Sequence, residues 1–164
     1  MKFLRLVLAL YLFSGVAVSQ TETNLASIRK AVESINRTAK FSKTTVKLEN
    51  LSTEGGEATV FREKDQIRKI VAEIRGEMGY SITELYYKDE KLIFAYDREF
   101  RYEKPFGKVL KITPTRFYFD NEKIIKMFYA KREIFPEDKE YNEMRDRMIP
   151  LSKAIFDAVK AKAS

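Results

Sequence analysis

The 164-residue sequence contains no histidine and no cysteine, and both absences restrict its chemistry. Without histidine there is no Ser-His-Asp triad, no Cys-His nucleophile and no histidine-based zinc or iron site. Without cysteine there are no disulfides, so the hydrophobic core alone must stabilise the fold. Any catalysis would depend on Asp, Glu, Lys, Tyr or Ser, and any metal site would use the oxygen ligands that suit calcium or magnesium.

The sequence also lacks blocks of like charge and a phosphate-binding loop. Lysine and arginine total 31 against 24 acidic residues, for a net charge of +7, but the two signs alternate densely. A nucleic-acid tail is therefore not supported. Gly55-Gly56 is not followed by the Lys-Ser/Thr and helix that such a loop needs. We expect no nucleic-acid partner, no cofactor and no metal, and we assign no catalytic residue.

The first nineteen residues have the order of a secretory signal peptide. Lys2 and Arg5 form a positive start, 6–13 is an unbroken apolar run, and Ala17 and Ser19 are the small residues that a signal peptidase reads. The run is shorter than the about 20 apolar residues of a membrane span, although a retained N-terminal anchor is the alternative. The sequence predicts that residues 1–19 are removed and that the mature chain is periplasmic or extracellular.

Apolar periodicity predicts a single α+β domain over 20–164. Apolar residues at helical spacing indicate a helix over 24–38 and a second over 136–162, which Pro150 kinks or interrupts. Over 44–130 the spacing changes to period two, and polar or glycine-containing turns separate the segments. We expect an antiparallel β-meander of six or seven strands, with both helices packed on one face.

A degenerate unit recurs three times within the predicted sheet. An aromatic residue, a short polar turn and an aliphatic residue follow one another over 61–67, 86–92 and 118–124. This order is typical of a β-hairpin. The unit resembles the hairpin of MORN-variant repeats. The segment from Tyr86 to Tyr96 is also similar to a Tyr-Tyr-turn-Lys-Leu-x-Phe-x-Tyr segment of uncharacterised exported bacterial proteins. The resemblance implies a binding or surface-associated role and no catalytic residue.

The second unit sorts its side chains into two faces. A two-residue turn at Asp89-Glu90 pairs Tyr87 with Leu92 and Tyr86 with Ile93, and later pairs alternate between the faces. One face is expected to be the core: Leu85, Tyr87, Leu92, Phe94 and Tyr96. The other is expected to be amphipathic: Tyr80, Ile82, Tyr86, Ile93 and Ala95, with Glu84, Asp97 and Glu99.

The amphipathic face is the candidate binding site. Its proposed ligand-binding residues are Tyr80, Ile82, Glu84, Tyr86, Asp97 and Glu99. The apolar side chains would form a platform, and the carboxylates would bind a cationic or sugar ligand. The alternative is an ordinary solvent face whose acids pair with basic residues on neighbouring strands. The predicted function is a non-enzymatic, envelope-associated binding module for an unknown protein or glycan, with at most peripheral membrane contact.

Two other functions remain open at this point. In a carboxylate-based hydrolase of envelope polymers, Glu84 and Asp97 would lie diagonally across adjacent strands at a separation that glycosidases use. An inhibitor or chaperone of another secreted protein would present an exposed loop or edge strand, such as Lys104 to Pro114, for strand addition.

Overall fold

A computed structural model describes residues 22–162, so the predicted signal peptide over 1–19 lies outside the described residues. A helix over 22–37, here α1, precedes eight strands and a second helix, α2. Their bounds are β1 Ser42–Lys47, β2 Gly56–Glu63, β3 Gln66–Gly76, β4 Gly79–Lys88, β5 Lys91–Tyr102, β6 Val109–Asp120, β7 Lys123–Tyr129, β8 Arg132–Ile134 and α2 Lys139–Ala161. Neither helix of this part of the chain is long and apolar enough to cross a membrane.

The strands form one antiparallel sheet whose spatial order, β1 to β8, is the order of the chain. The predicted α+β class and the predicted meander are therefore confirmed. The described residues contain eight strands rather than six or seven, because β8 was missed. This strand has only three residues, and the turn before it, Ala130-Lys131, contains no glycine, proline or asparagine that would mark it.

The three repeated units form the three hairpins at one end of the sheet, as predicted. Their turns use left-handed residues other than glycine: φ is 52° at Asp89 and 60° at Glu90 in one hairpin, and 46° at Asn121 and 65° at Glu122 in another. Two successive positive φ angles define the type I′ turn, whose twist matches that of the flanking strands. The acidic and amide residues at these positions are therefore compatible with tight two-residue turns.

A β-bulge in the β4–β5 hairpin changes the predicted register. Tyr87 pairs with Leu92 as expected, but Tyr86 pairs with Phe94, so Ile93 has no partner. A bulge adds one residue to one strand, which moves every later pair by one position. The predicted pairing is right for the two pairs next to the turn and wrong from Ile93 onward. One displaced residue is enough to exchange the faces of β5 relative to β4.

The same bulge occurs in the other two repeats. The register shifts after Phe61 in the β2–β3 hairpin and after Tyr118 in the β6–β7 hairpin. In each case the unpaired residue follows the first aliphatic residue of the second strand, at Arg68 and Ile125. The repeat in the sequence therefore encodes a hairpin together with its bulge.

The two helices lie on opposite faces of the sheet, which corrects the expectation that they share one. On β4, Tyr86 belongs to a buried cluster with α1, whereas Leu85 and Tyr87 on either side belong to the cluster with α2. Successive residues of a strand point to opposite faces, so each helix covers its own face. The cluster under α1 contains Leu25, Ile28, Ile35, Tyr86, Phe94 and Tyr118.

The larger core lies under α2. Met148, Ile155 and Val159 from this helix are fully buried against the sheet. The helix continues through Pro150, which is exposed, as a single element of 23 residues. It begins at Lys139 rather than at the predicted Pro136. The sheet therefore buries apolar side chains on both faces. Its strands have apolar residues at both odd and even positions, so each face receives some of them.

Candidate functional site

The predicted site residues do not form one site, because the bulge distributes them over both faces. Tyr80, Ile82, Glu84 and Tyr86 alternate along β4 and lie on the α1 face with Phe94. Asp97 and Glu99 lie on the opposite face, two and four residues from Ala95, which belongs to the core under α2. The prediction that all six share a surface is therefore wrong, and the physical reason is the extra residue at Ile93.

Asp97 is an internal structural carboxylate. Its side chain is almost completely buried, and it accepts a hydrogen bond of 2.8 Å from the Thr83 hydroxyl and one of 2.8 Å from Arg147 Nη2 on α2. Burial raises the pKa of Asp97 above its ordinary value, although the positive charge of Arg147 and the hydrogen bond from Thr83 act in the opposite direction. The carboxylate thus ties the helix to the sheet.

Glu84 lies on the other face and is held by three partners. Lys69 Nζ lies 2.7 Å from Oε2, the Tyr86 hydroxyl donates to the same oxygen at 2.7 Å, and Arg98 Nη2 donates to Oε1 at 3.2 Å. Burial raises the pKa of Glu84, but the hydrogen bonds from Lys69 and Tyr86 and the charges of Lys69 and Arg98 outweigh it, so the pKa lies below its ordinary value.

This geometry removes the paired carboxylates that a glycosidase-type site would need at Glu84 and Asp97. The two side chains are separated by the sheet itself, and each is already bound to basic partners. A general acid and a nucleophile must act on one bond from the same cleft. In the part of the chain that the structure describes, no group of three or more acidic residues is placed to hold a metal ion.

Tyr86 is not accessible, contrary to its predicted role. Only 2% of the residue is exposed, and its ring lies 5.5 Å from the Phe94 ring under α1. Burial first, and then the hydrogen bond to Glu84 and its negative charge, raise the pKa of the Tyr86 hydroxyl above its ordinary value. Tyr86 therefore belongs to the core and stays protonated, whereas Tyr80 and Ile82 on the same strand are only half-buried.

Helix α1 covers only one end of its face, at the level of Tyr86, Phe94 and Tyr118. The second helix packs on the other side of the sheet, so the remainder of the α1 face carries no helix of the described residues. We call this remainder the open face. It consists of half-buried side chains in neighbouring register positions of β4, β5 and β6: Tyr80, Ile82, Tyr96, Arg98, Phe100 and Arg116.

Aromatic rings and guanidinium groups alternate on the open face. The rings of Tyr80 and Phe100 stack with centroids 4.3 Å apart and planes 5° from parallel. The Tyr96 ring has the guanidinium carbon of Arg98 at 5.5 Å from its centroid and that of Arg116 at 5.3 Å. Such cation–π contacts hold the arginines along the surface rather than extended into water.

The charge of the open face is positive. Arg116 makes no ion pair with any residue of 22–162 and donates only one long hydrogen bond, of 3.4 Å, to the Ala130 carbonyl. Lys69 and Arg98 share the single carboxylate of Glu84. A cationic ligand, one of the two kinds predicted from the sequence, would meet an excess of positive charge here. The arrangement is instead suited to anionic groups, which arginine binds with paired hydrogen bonds.

Sequence reasoning missed Tyr96, Arg98, Phe100 and Arg116, because the predicted register placed Tyr96 in the core. A readable indication existed in the other repeats. Core positions on β3 are spaced by three and then by two, at Ile67, Ile70 and Ala72, which is the phase change that a bulge produces.

Comparisons of this chain with models of protein families, with curated proteins and with solved structures find no match.

Proposed function

We propose that this protein is an exported, non-enzymatic binding module of the cell envelope, and that its ligand occupies the open face. The observation that carries the proposal is the Tyr96 ring flanked by Arg98 and Arg116, next to the cluster under α1 and at the start of the part of that face which no described helix covers. Stable domains bury such aromatic and aliphatic side chains or use them in recognition. The two carboxylates that would support a hydrolase lie on different faces, so binding is the better supported activity.

The proposed ligand is an anionic glycan. Arg116 has no carboxylate partner among the described residues, and its planar guanidinium matches the geometry of a carboxylate or phosphate group. The stacked pair of Tyr80 and Phe100 offers a flat apolar surface four register positions away. A polymer that alternates ring faces with acidic groups would engage both features at once.

Binding is tested with alginate, a soluble polymer of uronic acids, and with dextran as the uncharged counterpart. The mature wild-type protein is expected to bind alginate in a salt-dependent manner. Arg116→Gln is expected to weaken this binding about tenfold, because a hydrogen bond to a charged group contributes about 1.5–3 kcal/mol. Calorimetry or affinity electrophoresis at low ionic strength would measure the difference.

The matched control is Arg62→Gln, which also removes one arginine charge from the sheet but lies on β2 beside β1. It is expected to change alginate affinity less than twofold. Equal losses for Arg62→Gln and Arg116→Gln would indicate attraction by net charge alone, and binding of dextran as tight as that of alginate would contradict the anionic site.

Export is tested separately on native material. The proposal requires that the mature chain begins at Gln20, after loss of residues 1–19. Mass spectrometry of the N-terminal peptide in fractions of the producing cell is expected to find this terminus in the envelope or medium. A cytosolic product that retains Met1 would contradict the envelope assignment while leaving the ligand test unaffected.

A further inference from the structure

One end of the sheet exposes an unusual amount of apolar surface. Five of the seven large hydrophobic side chains that are exposed among residues 22–162 lie there, in the β5–β6 hairpin and the neighbouring β3–β4 turn: Met78, Phe106, Val109, Leu110 and Ile112. Leu110 is 71% exposed and Phe106 is 67% exposed. We call these five residues the apolar tip. A concentration of exposed apolar side chains of this kind marks an interaction surface.

The apolar tip projects beyond the last strands of the sheet. Strand β7 pairs with β6 only from Thr115 onward, so 109–113 has no neighbouring strand on that side among the described residues. Two backbone hydrogen bonds of 2.9 Å, from Phe106 to the Glu77 carbonyl and from Tyr102 to the Met78 carbonyl, join the hairpin to the β3–β4 turn. The tip is thus a supported projection rather than an isolated loop.

The conformation of Phe106 indicates that its side chain serves contact rather than folding. Its φ of 53° lies in the left-handed region, where glycine is at ease and a bulky residue is disfavoured. The neighbouring Gly107, which closes the turn through a 2.9 Å hydrogen bond to Lys104, does not have a positive φ. The Phe106 side chain is therefore exposed on an unfavourable backbone conformation, and it adds no buried apolar area to the protein's own core.

Basic side chains surround the apolar tip. Four exposed cations lie over 101–112, Arg101, Lys104, Lys108 and Lys111, against two carboxylates, those of Glu103 in the same segment and Glu77 in the β3–β4 turn. None of the four makes an ion pair with another described residue, although ion pairs are common elsewhere in the molecule. Lysines beside apolar side chains can extend their ammonium groups to an anionic layer while the apolar groups enter a less polar one.

Addition of a partner strand is disfavoured at this edge. A bulge shifts the β5–β6 register between Arg101 and Tyr102. On β6 itself, Lys111 lies on the exposed edge and Pro114 lacks an amide hydrogen. Bulges, lysine and proline are the devices by which proteins block pairing of an exposed edge strand. A second copy of the chain would also bring Lys108 and Lys111 close to the same lysines.

We propose that the apolar tip docks this protein on an anionic lipid bilayer, with Phe106 and Leu110 entering the interface and the surrounding lysines binding lipid phosphates. The site lies at the surface of the bilayer and requires no membrane-spanning segment. The apolar tip adjoins the open face, because Ile112 pairs with Phe100. The two proposals are tested with different residues and ligands, Phe106 and Leu110 on vesicles and Arg116 on alginate, so failure of one does not imply failure of the other.

The mature protein, residues 20–164, is tested in co-sedimentation with vesicles of phosphatidylglycerol and phosphatidylethanolamine, and with vesicles of phosphatidylcholine alone. Wild type is expected to bind only the anionic vesicles, and more weakly as salt is raised. The double variant Phe106→Ser, Leu110→Ser is expected to lower the partition coefficient at least tenfold. Both side chains are exposed, so unfolding temperature should not fall; Phe135→Ser, at another exposed apolar position, is the matched control.

The contribution of charge is tested with Lys104→Gln, Lys108→Gln and Lys111→Gln together. Each lysine near an anionic surface contributes about fivefold to binding, so the triple variant should lose about a hundredfold. The matched control is Lys64→Gln, Lys88→Gln and Lys123→Gln at the hairpin turns of the opposite end. A twelve-residue strand is about 40 Å long, and charges so far away are screened at 0.1 M salt, so the control should lose less than threefold.

Four outcomes would overturn the proposal. Wild type that ignores anionic vesicles, or tip variants that bind them like wild type, would exclude lipid docking. Equal binding to phosphatidylcholine vesicles would exclude the anionic specificity. A wild-type dimer in sedimentation velocity that dissociates in the Phe106/Leu110 variant, without a change in vesicle binding, would make the tip an interface between copies.

Discussion

Replacing Tyr86 with serine is expected to lower the free energy of unfolding by about 3–5 kcal/mol, the usual loss when a buried aromatic ring is deleted. The Tyr86 ring is enclosed by α1 and by the Phe94 ring, 5.5 Å away. The substitution leaves a cavity between the helix and the sheet, and it withdraws the hydroxyl that donates to Glu84. Urea unfolding followed by circular dichroism at pH 7 would measure the loss.

Tyr80→Ser is the matched control, since it removes the same ring from the same strand and the same face. Tyr80 is half-buried and stacks on Phe100 at 4.3 Å, so the expected loss is about 0.5–1.5 kcal/mol. If the two variants lose equal stability, Tyr86 is not part of a core under α1. Tyr86→Phe, which keeps the ring, is expected to lose only about 1 kcal/mol through the missing hydrogen bond.

Replacing Arg147 with methionine is expected to destabilise the protein by about 2–3 kcal/mol at neutral pH. The variant leaves Asp97, which is 1% exposed, without its cationic partner, and breaking a buried ion pair from one side commonly costs about 3–5 kcal/mol. We expect less than that because the Arg147 side chain is 44% exposed and its charge is partly screened by water.

The loss should depend on pH in a defined direction. Burial raises the pKa of Asp97 in the folded state above the ordinary 3.8. At pH values between the unfolded and the folded pKa, the folded protein therefore keeps a proton that the unfolded chain has released. The stabilisation from this proton is present below the unfolded pKa and disappears as pH rises through the folded pKa. Arg147 lowers the folded-state pKa of Asp97, so removing Arg147 raises this pKa and extends the stabilisation by the proton to higher pH. The deficit of Arg147→Met is therefore largest at pH 7.5 and smaller at pH 4.5.

Urea unfolding of wild type and Arg147→Met at both pH values would measure this difference. Arg145→Met, at a half-buried position on the same helix where the arginine pairs with its neighbour Asp146, is the matched control and should change stability far less. Adding Asp97→Asn to Arg147→Met should recover part of the loss and abolish its pH dependence, because an amide is uncharged when buried. A deficit that is the same at both pH values would contradict this account.

Much of the secondary structure could be predicted from the sequence alone. Seven strands and both helices were expected near their observed positions, because period-two and helical apolar patterns report directly on which side chains are buried. The α+β class and the antiparallel meander follow from the short turns between strands, which leave no room for crossover connections. The short β8 had neither a pattern nor a turn residue, and it was missed.

The candidate site was predicted less well, and a single residue is responsible. Ile93 is the extra residue of a bulge, and it exchanged the faces of everything beyond it on β5, including Asp97 and Tyr96. Turn length sets the register only next to the turn. On β3 and β7 the spacing of the core residues shows the extra residue of each bulge; on β7, for example, Ile124 and Met127 are three residues apart rather than two. On β5 the same change of spacing is hidden, because Phe94 is also apolar.

The amino-acid sequence by itself determined the order and approximate bounds of the elements, the three equivalent hairpins and the restriction to chemistry without histidine or cysteine. Only the tertiary structure decided that α1 and α2 cover opposite faces, that Tyr86 is buried, and that Arg98, Arg116 and Tyr96 come together. Local periodicity records whether a side chain is buried, since it reflects contact with water. It does not record which neighbour buries it, because pairing across strands depends on bulges and on where each helix comes to lie.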